Sequence, residues 1–306
     1  MKFTIFQDSR IGRRKSNQDR IAYTYSRQAL LMLVADGMGG HLHGEVAAQI
    51  AAQIIVAAFQ REARPVLADP EHFLRQALDD AHQAILDHSF DSFMPEAPRT
   101  TIVACVVQQG AAWWAHAGDS RLYLIRNGRV AAQTRDHSRV QMMLDHGLID
   151  ARQAETHPER NRIYSCLGGD HVPQIDVSRR FGLRTDDVVA LCSDGAWGPV
   201  GDAGLLEVLA DGQVMQAVPA LLDRAERLGG PTCDNLSMVA MAWQGSGSAQ
   251  PELPETSGLP AVESFTTHLE SLDSETLAEA GGAEVSDEDI ERAIAEINST
   301  IRKFSQ

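Results

Sequence analysis

Short apolar runs rich in β-branched residues recur along the first 244 residues, and several follow one another with no helical pattern between them. Such runs are typical of buried β-strands. Asn127-Gly128 separates two of them and supplies the positive φ angles of a tight turn, which predicts an antiparallel hairpin. Strands are predicted at 3–6, 21–25, 30–35, 101–107, 113–117, 122–125, 175–177, 188–192 and 236–242, and helices at 45–59, 73–86, 139–144 and 214–227. Because the helical patterns form separate blocks, the sequence predicts an α+β fold of packed antiparallel sheets covered by helices.

Composition favours a globular protein that stays in the cytoplasm. With 306 residues and 43% hydrophobic content, the chain can bury a substantial core. Its apolar runs, such as 30–35, are far shorter than the roughly 20 residues that span a bilayer. Residues 1–8 include an acid and lack an apolar run of secretory length, so no signal peptide is expected. The four cysteines form no Cys-x-x-Cys pair, which is typical of reduced core thiols.

The negative charge is concentrated at the C-terminal end. Residues 245–306 hold 13 acidic and 3 basic residues, which is two thirds of the net charge of −15. An acidic surface repels nucleic-acid phosphates and anionic lipids, so neither nucleic acid nor a membrane is expected as a partner. A phosphorylated substrate held through metal ions remains compatible with this charge.

The acidic tail divides into two predicted segments. Residues 245–285 are rich in Gly, Ser, Pro, Glu and Thr and are predicted to form a flexible polar linker. Residues 286–306 begin with a capping signature and acids, and are predicted to form an amphipathic helix. Its apolar stripe is Ile290, Ile294, Ile297, Ile301 and Phe304. We expect this helix to bind a protein partner or to dock on the domain of residues 1–244.

Five short motifs place an aspartate beside glycine or at the end of an apolar run. They are Asn17-Gln18-Asp19, Asp36-Gly37-Met38-Gly39-Gly40-His41, Gly118-Asp119-Ser120-Arg121, Ser193-Asp194-Gly195 and Asp234-Asn235. Each motif alone is typical of an ordinary turn. Together they indicate a metal site, because carboxylate oxygens suit Mg²⁺ and Mn²⁺, and because converging acids repel unless cations neutralise them.

This motif series resembles that of type 2C (metal-dependent, PPM-type) serine/threonine protein phosphatases, in their compact bacterial form, and follows the family's order over residues 1–243. The resemblance implies two packed antiparallel sheets flanked by helices, a four-layer α-β-β-α sandwich, over residues 1–244. It says nothing about the tail. Many relatives carry glycine before a Thr-Thr pair, whereas this chain has Arg99 there, which implies an altered approach of that strand to the site.

The resemblance also implies a ligand set for two tightly bound Mn²⁺ or Mg²⁺ ions. Asp36 would bridge the two ions, the Gly37 carbonyl would bind one of them, and Asp194 and Asp234 would bind the other. Asp19 would hold a metal-bound water. A third, weaker metal site would include Asp119 together with Asp194.

Two further roles concern the substrate. Arg14 matches the family arginine that grips the phosphate, with Arg13 and Lys15 as alternatives one residue away. His41 is the nearest candidate general acid for the leaving group, with His43 two residues away. His116, inside an apolar run, is predicted to be a hydrogen-bonded core histidine rather than a ligand.

The resemblance implies hydrolysis of phosphoserine and phosphothreonine in proteins by a metal-activated water, opposing a bacterial serine/threonine kinase. The catalytic domain is expected to be monomeric, with a phosphorylated protein as its substrate. The alternative is a noncatalytic phosphoprotein-binding or scaffold module that acts through its tail. A module of that kind would be expected to lack Asp36, Asp194 or Asp234, and all three are present.

Overall fold

The computed structural model describes residues 1–38, 43–155, 157–169, 171–245 and 266–269. The strands are β1 (Lys2–Arg10), β2 (Asp19–Tyr25), β3 (Ala29–Met38), β4 (Arg99–Thr100), β5 (Ile102–Gln108), β6 (Ala111–Ala117), β7 (Arg121–Arg126), β8 (Arg129–Gln133), β9 (Leu167–Gly168), β10 (Asp176–Val177), β11 (Phe181–Gly182), β12 (Val188–Cys192), β13 (Leu236–Gly245) and β14 (Thr266–Leu269). The helices are α1 (Gly44–Glu62), α2 (Pro70–Asp91), α3 (Arg139–Asp145), α4 (Ala151–Glu155), α5 (Asp194–Trp197), α6 (Gly201–Leu209) and α7 (Val214–Gly229). Within these ranges, no helix combines the length and apolarity that crossing a membrane requires.

The strands form two sheets. The first has the order β1-β13-β12-β7-β8, and the second has the order β10-β6-β5-β3-β2-β14, with β11, β4 and β9 attached. Neighbouring strands pair antiparallel, including the β7–β8 hairpin in which Arg126 opposes Arg129. Asn127 and Gly128 both have positive φ, at 51° and 67°, so the predicted hairpin turn is confirmed.

Alternation along the strands separates three hydrophobic cores. On β3, Leu30 and Met32 face the first sheet and pack with residues such as Leu191 and Met241. Leu31 and its same-face neighbours pack instead against α1 and α2. The opposite face of the first sheet is covered by α5, α6 and α7. The layers are therefore helices, sheet, sheet and helices, which confirms the predicted four-layer sandwich.

The shortest elements were not predicted. Helix α5 has 4 residues, starts at Asp194 inside a motif interpreted as a strand-end loop, and is too short to display a helical period. Helix α6 was also missed, because its 9 residues contain two glycines, Gly201 and Gly204, which lower helix propensity. Strands of two residues such as β4 and β9 show no alternation to detect.

The described part of the tail contains a strand within the predicted linker. Strand β14 pairs antiparallel with β2 at the sheet edge, with Thr267 opposite Thr24. Thr267 Oγ1 lies 2.8 Å from Thr24 Oγ1 and accepts a hydrogen bond from Gln60 Nε2 at 2.7 Å. The His268 ring stacks on Tyr23 at 4.7 Å. The composition of 245–285 did not reveal this strand, because a strand of four residues that pairs with a sheet edge far away in the sequence shows no pattern of its own.

The remaining tail predictions are untested. Strand β13 ends at Gly245, next to the predicted domain boundary. The amphipathic helix at 286–306 lies outside the described residues. Its role in binding a partner stays a prediction, as does the monomeric state of the catalytic domain.

Replacing Thr267 by valine is expected to weaken the docking of β14. Valine keeps the shape of threonine but removes the hydroxyl that buried Thr24 and half-buried Gln60 contact. The loss of a net hydrogen bond is worth about 1 kcal/mol. Hydrogen exchange of the amides in 266–269 should therefore accelerate about fivefold. Thr266→Val is the control because its side chain faces the other side of the strand; equal acceleration in both variants would contradict the assigned contact.

Candidate metal centre

Acidic side chains meet at one end of the two sheets because their strands end there. Asp19 opens β2 and lies directly opposite Asp36 near the end of β3. Asp119 lies in the turn between β6 and β7, and Asp194 follows β12 at the start of α5. Asp234 lies just before β13. Strands hold each backbone in place, while the loops beyond them allow the carboxylates to converge.

Asp19 is the most deeply buried of these acids. It is 1% exposed, and its Oδ2 accepts a hydrogen bond from Ser193 Oγ at 2.8 Å. Ser193 is itself held by Ser237, whose backbone N–H donates to Ser193 Oγ at 3.0 Å. Asp19 Oδ1 is buried and has no hydrogen-bond partner among the described residues. A buried carboxylate oxygen without a partner is costly, so it needs a ligand such as a water or an ion.

The backbone around Asp36 is held from two sides. Its carbonyl accepts bonds from the Thr101 N–H at 2.8 Å and from Thr100 Oγ1 at 3.0 Å. Gly37 follows, and its N–H donates to the Gln18 carbonyl at 3.2 Å. A Cβ on Gly37 would lie 2.4 Å from the backbone of Gly44. Only glycine therefore lets α1 approach this strand end so closely.

The turn that carries Asp119 is held by residues of other elements. The Trp197 indole N–H donates to the Asp119 carbonyl at 3.0 Å. The adjacent Ser120 hydroxyl lies 2.7 Å from Thr101 Oγ1, which ties this turn to the strand end beside Asp36. The Asp119 side chain is 7% exposed.

The acids shift one another's protonation. Burial raises the pKa of Asp19 to about 7 and that of Asp194 to about 6, with repulsion from neighbouring carboxylates adding to both shifts. Burial also raises the pKa of Asp36 well above its usual value, and the charges of Asp19, Asp194, Asp119 and Asp234 raise it further. For Asp119 the pKa is likewise raised well above its usual value by burial and by Asp194. All five acids therefore interact electrostatically.

Arg14 is a cation at the exposed side of the acid cluster, which consists of Asp19, Asp36, Asp119, Asp194 and Asp234. Its Nη2 donates to Asp234 Oδ2 at 2.6 Å, and its side chain is 56% exposed. Asn235 places the loop that carries Arg14, because its amide donates to the carbonyls of Ile11 and Ser16. Asn235 Oδ1 also accepts from the Gln18 N–H at 2.9 Å. The Asp-Asn motif was noted for its acid, and the role of its asparagine emerges only here.

His41 lies outside the described residues. His116 is buried as predicted, but only partly hydrogen-bonded: Nε2 contacts the Arg135 carbonyl at 2.8 Å, and Nδ1 finds no partner within the described part of the chain. One ligand atom each of His116, His137 and Asp176 lies within 4.8 Å of the others. His137 Nδ1 accepts from the Gly118 N–H, so in the neutral ring the proton sits on Nε2, which faces Asp176. That protonation favours an imidazole–carboxylate contact over a metal ligand.

The acid cluster fits hard divalent cations. Its donors are carboxylate and carbonyl oxygens, which Mg²⁺ and Mn²⁺ prefer, and the described site offers neither thiolate nor imidazole. The pKa values of Asp19, Asp36, Asp119 and Asp194 are raised because their negative charge is buried and uncompensated. Bound cations would compensate this charge.

Metal-free protein is expected to lose stability as pH rises from about 4 to about 7. An unfolded aspartate has a pKa of about 3.9, so folded Asp19 and Asp194 retain protons in this window that the unfolded chain has released. Unfolding then releases protons, and higher pH favours it. Urea midpoints measured at pH 5 and pH 7.5 after chelation should therefore fall, and saturating Mn²⁺ should remove the decline.

Two substitutions test the origin of this dependence. Asp19→Asn should flatten the pH profile because it removes one of the buried carboxyls. Asp91→Asn, at an exposed position at the end of α2, should leave the profile unchanged. A midpoint that rises between pH 5 and pH 7.5 without metal would refute the assigned pKa shifts.

Similar proteins share this fold. A family model described as Protein phosphatase 2C matches residues 6–219. The serine/threonine protein phosphatase PstP of Mycobacterium tuberculosis is 34% identical over 226 residues, which cover 74% of this chain and 42% of PstP. The chain therefore spans less than half the length of that relative.

Two solved structures are also similar. Serine/threonine phosphatase Stp1 from Staphylococcus aureus superposes with a TM-score of 0.73 at 27% identity, covering 80% of this chain and 96% of that one. The catalytic domain of PstP in complex with two manganese ions gives a TM-score of 0.67 at 31% identity, covering 78% and 97%. With a family match over more than half of its length, a sandwich of the same fold and an acidic cluster at its strand ends, the chain belongs to the protein phosphatase 2C family.

Proposed function

We propose that this chain hydrolyses phosphoserine and phosphothreonine in proteins, using two Mn²⁺ or Mg²⁺ ions held by its acid cluster. The carrying observation is the convergence of four buried carboxyls whose pKa values are all raised, one of them with an unpartnered oxygen. Converging buried carboxylates repel one another, and bound cations would remove this repulsion.

The ligand roles follow the positions of the acids. Asp36 interacts with each of the other acids, so it is the residue suited to bridge two ions. The Gly37 carbonyl would serve one ion, and Asp194 and Asp234 the other. Asp19, with one free oxygen, would hold a water bound at this centre. Asp119 with Asp194 would form a third, weaker site.

The substrate phosphate could not approach this cluster in the absence of cations, because five carboxylates would repel it. When bound, paired divalent ions activate water near neutral pH and stabilise the charge on the phosphoryl oxygens. Arg14 stands at the rim with a half-exposed guanidinium, and it would bind the equatorial oxygens of the phosphate by charge-assisted hydrogen bonds. Asp234 orients Arg14 until substrate arrives.

The leaving serine or threonine oxygen requires a proton. His41 retains the proposed role of general acid because it lies five residues after Asp36 in the chain and because imidazole is a common general acid in enzymes. His43 is the alternative; it is the N-cap residue just before α1, and its Nδ1 lies 3.6 Å from Glu45 Oε1.

The relatives support this assignment. PstP is named a serine/threonine protein phosphatase, and its catalytic domain is solved with two manganese ions. We propose a cytoplasmic location, supported by four free cysteines, and a role opposite a bacterial serine/threonine kinase. The alternative of a noncatalytic module finds no support in the intact acid cluster.

The direct test is release of phosphate from phosphoserine and phosphothreonine peptides. Activity is expected with Mn²⁺ or Mg²⁺, should vanish on chelation and should return on adding either ion. Zn²⁺ should substitute poorly because the described acids offer only oxygen donors. Binding of phosphopeptides without any hydrolysis under these conditions would instead support the noncatalytic module.

Removing Arg14 should weaken phosphate binding. Arg14→Ala is expected to lower kcat/KM about 10- to 100-fold, mainly through KM, because a charge-assisted contact to the phosphate is lost. Arg13→Ala is the matched control, since Arg13 is the neighbouring exposed arginine. Steady-state kinetics with one phosphopeptide compare kcat/KM for the two variants. A larger decrease for Arg13→Ala would assign phosphate binding to Arg13 instead of Arg14.

A further inference from the structure

A groove of about 600 Å³ opens beside the acid cluster. Its lining includes Met38, Pro98, Arg99, Arg162, Tyr164 and Val172. Met38 lies two residues after Asp36, and Thr101, which bonds to the Asp36 carbonyl, lies two residues after Arg99. The groove therefore starts within a few residues of the proposed catalytic centre, where the chain flanking a phosphorylated residue would leave it.

Arg99 is fixed in this groove by its backbone. It lies on β4, opposite Met38 on β3 and Gly168 on β9. Its side chain passes over Gly169, where a Cβ would lie 3.0 Å from Arg99 Nε. Gly169 also has a φ of +73°, which disfavours other residues. The expected change in the strand's approach stays a prediction, and what the structure adds is that the Arg99 side chain lines the groove.

Among the described residues, the positively charged Arg99 guanidinium has neither an ion pair nor a hydrogen bond. The other arginine of the groove, Arg162, is already paired with Glu159 at 2.9 Å. Glu96 also lines the groove and is exposed. Arg99 is thus the available cation in a groove next to a site for phosphate.

Part of the groove wall is apolar. Tyr164 is 52% exposed and Val172 is 90% exposed, and both line it together with Pro98. These side chains offer apolar surface that a bound peptide could cover. Apolar wall residues beside the exposed Arg99 guanidinium suit an extended peptide with one acidic side chain.

We infer that this groove binds the peptide chain beside the phosphorylated residue and that Arg99 pairs with an acidic side chain there. The inference rests on the proposed function and specifies its substrate class: phosphoproteins with an acidic residue near the phosphorylated one. A guanidinium binds a carboxylate through two parallel hydrogen bonds. A second phosphorylated residue offers the same anionic chemistry.

Competition between matched phosphopeptides tests the inference. Peptides differing only by Glu, Gln, Lys or phosphothreonine at one position, scanned over three residues on each side, are compared by kcat/KM. At the position facing Arg99, the enzyme is expected to prefer Glu over Gln about fivefold, with the preference decreasing at high salt. The phosphothreonine peptide distinguishes a phosphate from a carboxylate as the preferred anion.

Arg99→Ala should abolish this preference, so that the Glu and Gln peptides have equal kcat/KM, and Arg99→Glu should prefer the Lys peptide. Arg129→Ala, an exposed arginine on β8, is the matched control and should behave as the parent protein. If Arg99→Ala keeps the preference, or if the parent protein shows none at any position, the inference is overturned. If none of the peptides is hydrolysed, the proposed function itself is overturned, which is a distinct result.

Discussion

Replacing Asp36 by asparagine is expected to lower kcat/KM at least about 1,000-fold. Asp36 interacts with all four other acids, and in the proposed function it is the residue that would bridge two cations. Asparagine keeps the shape but loses the charge that holds them. Paired cations contribute several kcal/mol to the stabilisation of the transition state, and each 1.36 kcal/mol is tenfold in rate.

The same substitution should stabilise the protein when metals are removed. Burial and neighbouring charges raise the pKa of Asp36, which means that its ionised form destabilises the fold. A neutral amide relieves this repulsion. The thermal midpoint of Asp36→Asn in chelator at pH 7.5 should exceed that of the parent protein, while its Mn²⁺-induced rise in midpoint should be smaller.

Asp187→Asn is the matched control for a buried aspartate. Asp187 is 1% exposed, but it forms a bidentate pair with Arg126 at 2.8 and 2.6 Å, away from the acid cluster. Its loss should destabilise the protein and leave kcat/KM close to the parent value. The two variants should therefore shift stability in opposite directions, and only Asp36→Asn should lower activity. If both lose stability equally in chelator, the carboxylate repulsion assigned to Asp36 is absent.

Replacing Gly195 by alanine is expected to damage both stability and activity. A Cβ on Gly195 would lie 2.0 Å from the carbonyl oxygen of Asn235 and 3.2 Å from Asp234 Cβ. Backbone atoms cannot move aside as a flexible side chain can. The start of α5 and the turn before β13 would have to separate, which displaces Asp194 from Asp234.

The expected loss is about 3 kcal/mol of unfolding free energy, the upper part of the range for overpacking. For a domain of this size it lowers the thermal midpoint by about 6–12 °C. A displacement of about 1 Å between ligands would also reduce kcat about 100-fold. Calorimetry and phosphopeptide kinetics measure the two effects.

Gly182 provides a matched glycine. It lies on β11, and a Cβ there would have nothing within 4 Å. Gly182→Ala should therefore be neutral, or stabilising by about 0.4–1 kcal/mol through the unfolded chain. Indistinguishable midpoints for the two alanine variants would show that the approach of Gly195 to Asn235 is not required.

Local patterns in the sequence predicted most of the framework. The strand at 188–192 coincides with β12, and the Asn127-Gly128 turn joins β7 to β8. These features depend on neighbouring residues, through side-chain alternation and the φ preferences of turn residues. The acids were found for a related reason: an aspartate directly after a buried strand is visible without knowing the strand's partners.

The sequence did not reveal which residues form hydrogen bonds with those acids. Asp19 is bonded to Ser193, 174 residues away, and Arg14 to Asp234, 220 residues away. Thr267 reaches β2 across an even longer separation. Serine, arginine and threonine at these positions carry no local signal, because their roles are defined by the residues that folding brings to them.

The sequence by itself determined which segments are strands and which carboxylates are available for a metal centre, because both follow from the order of adjacent residues. Only the tertiary structure decided how deeply Asp19 and Asp36 are buried, which residues hold them and that Arg99 faces a groove beside them. The physical reason is that burial, electrostatic repulsion and hydrogen-bond geometry depend on distances between strands that are remote in the chain.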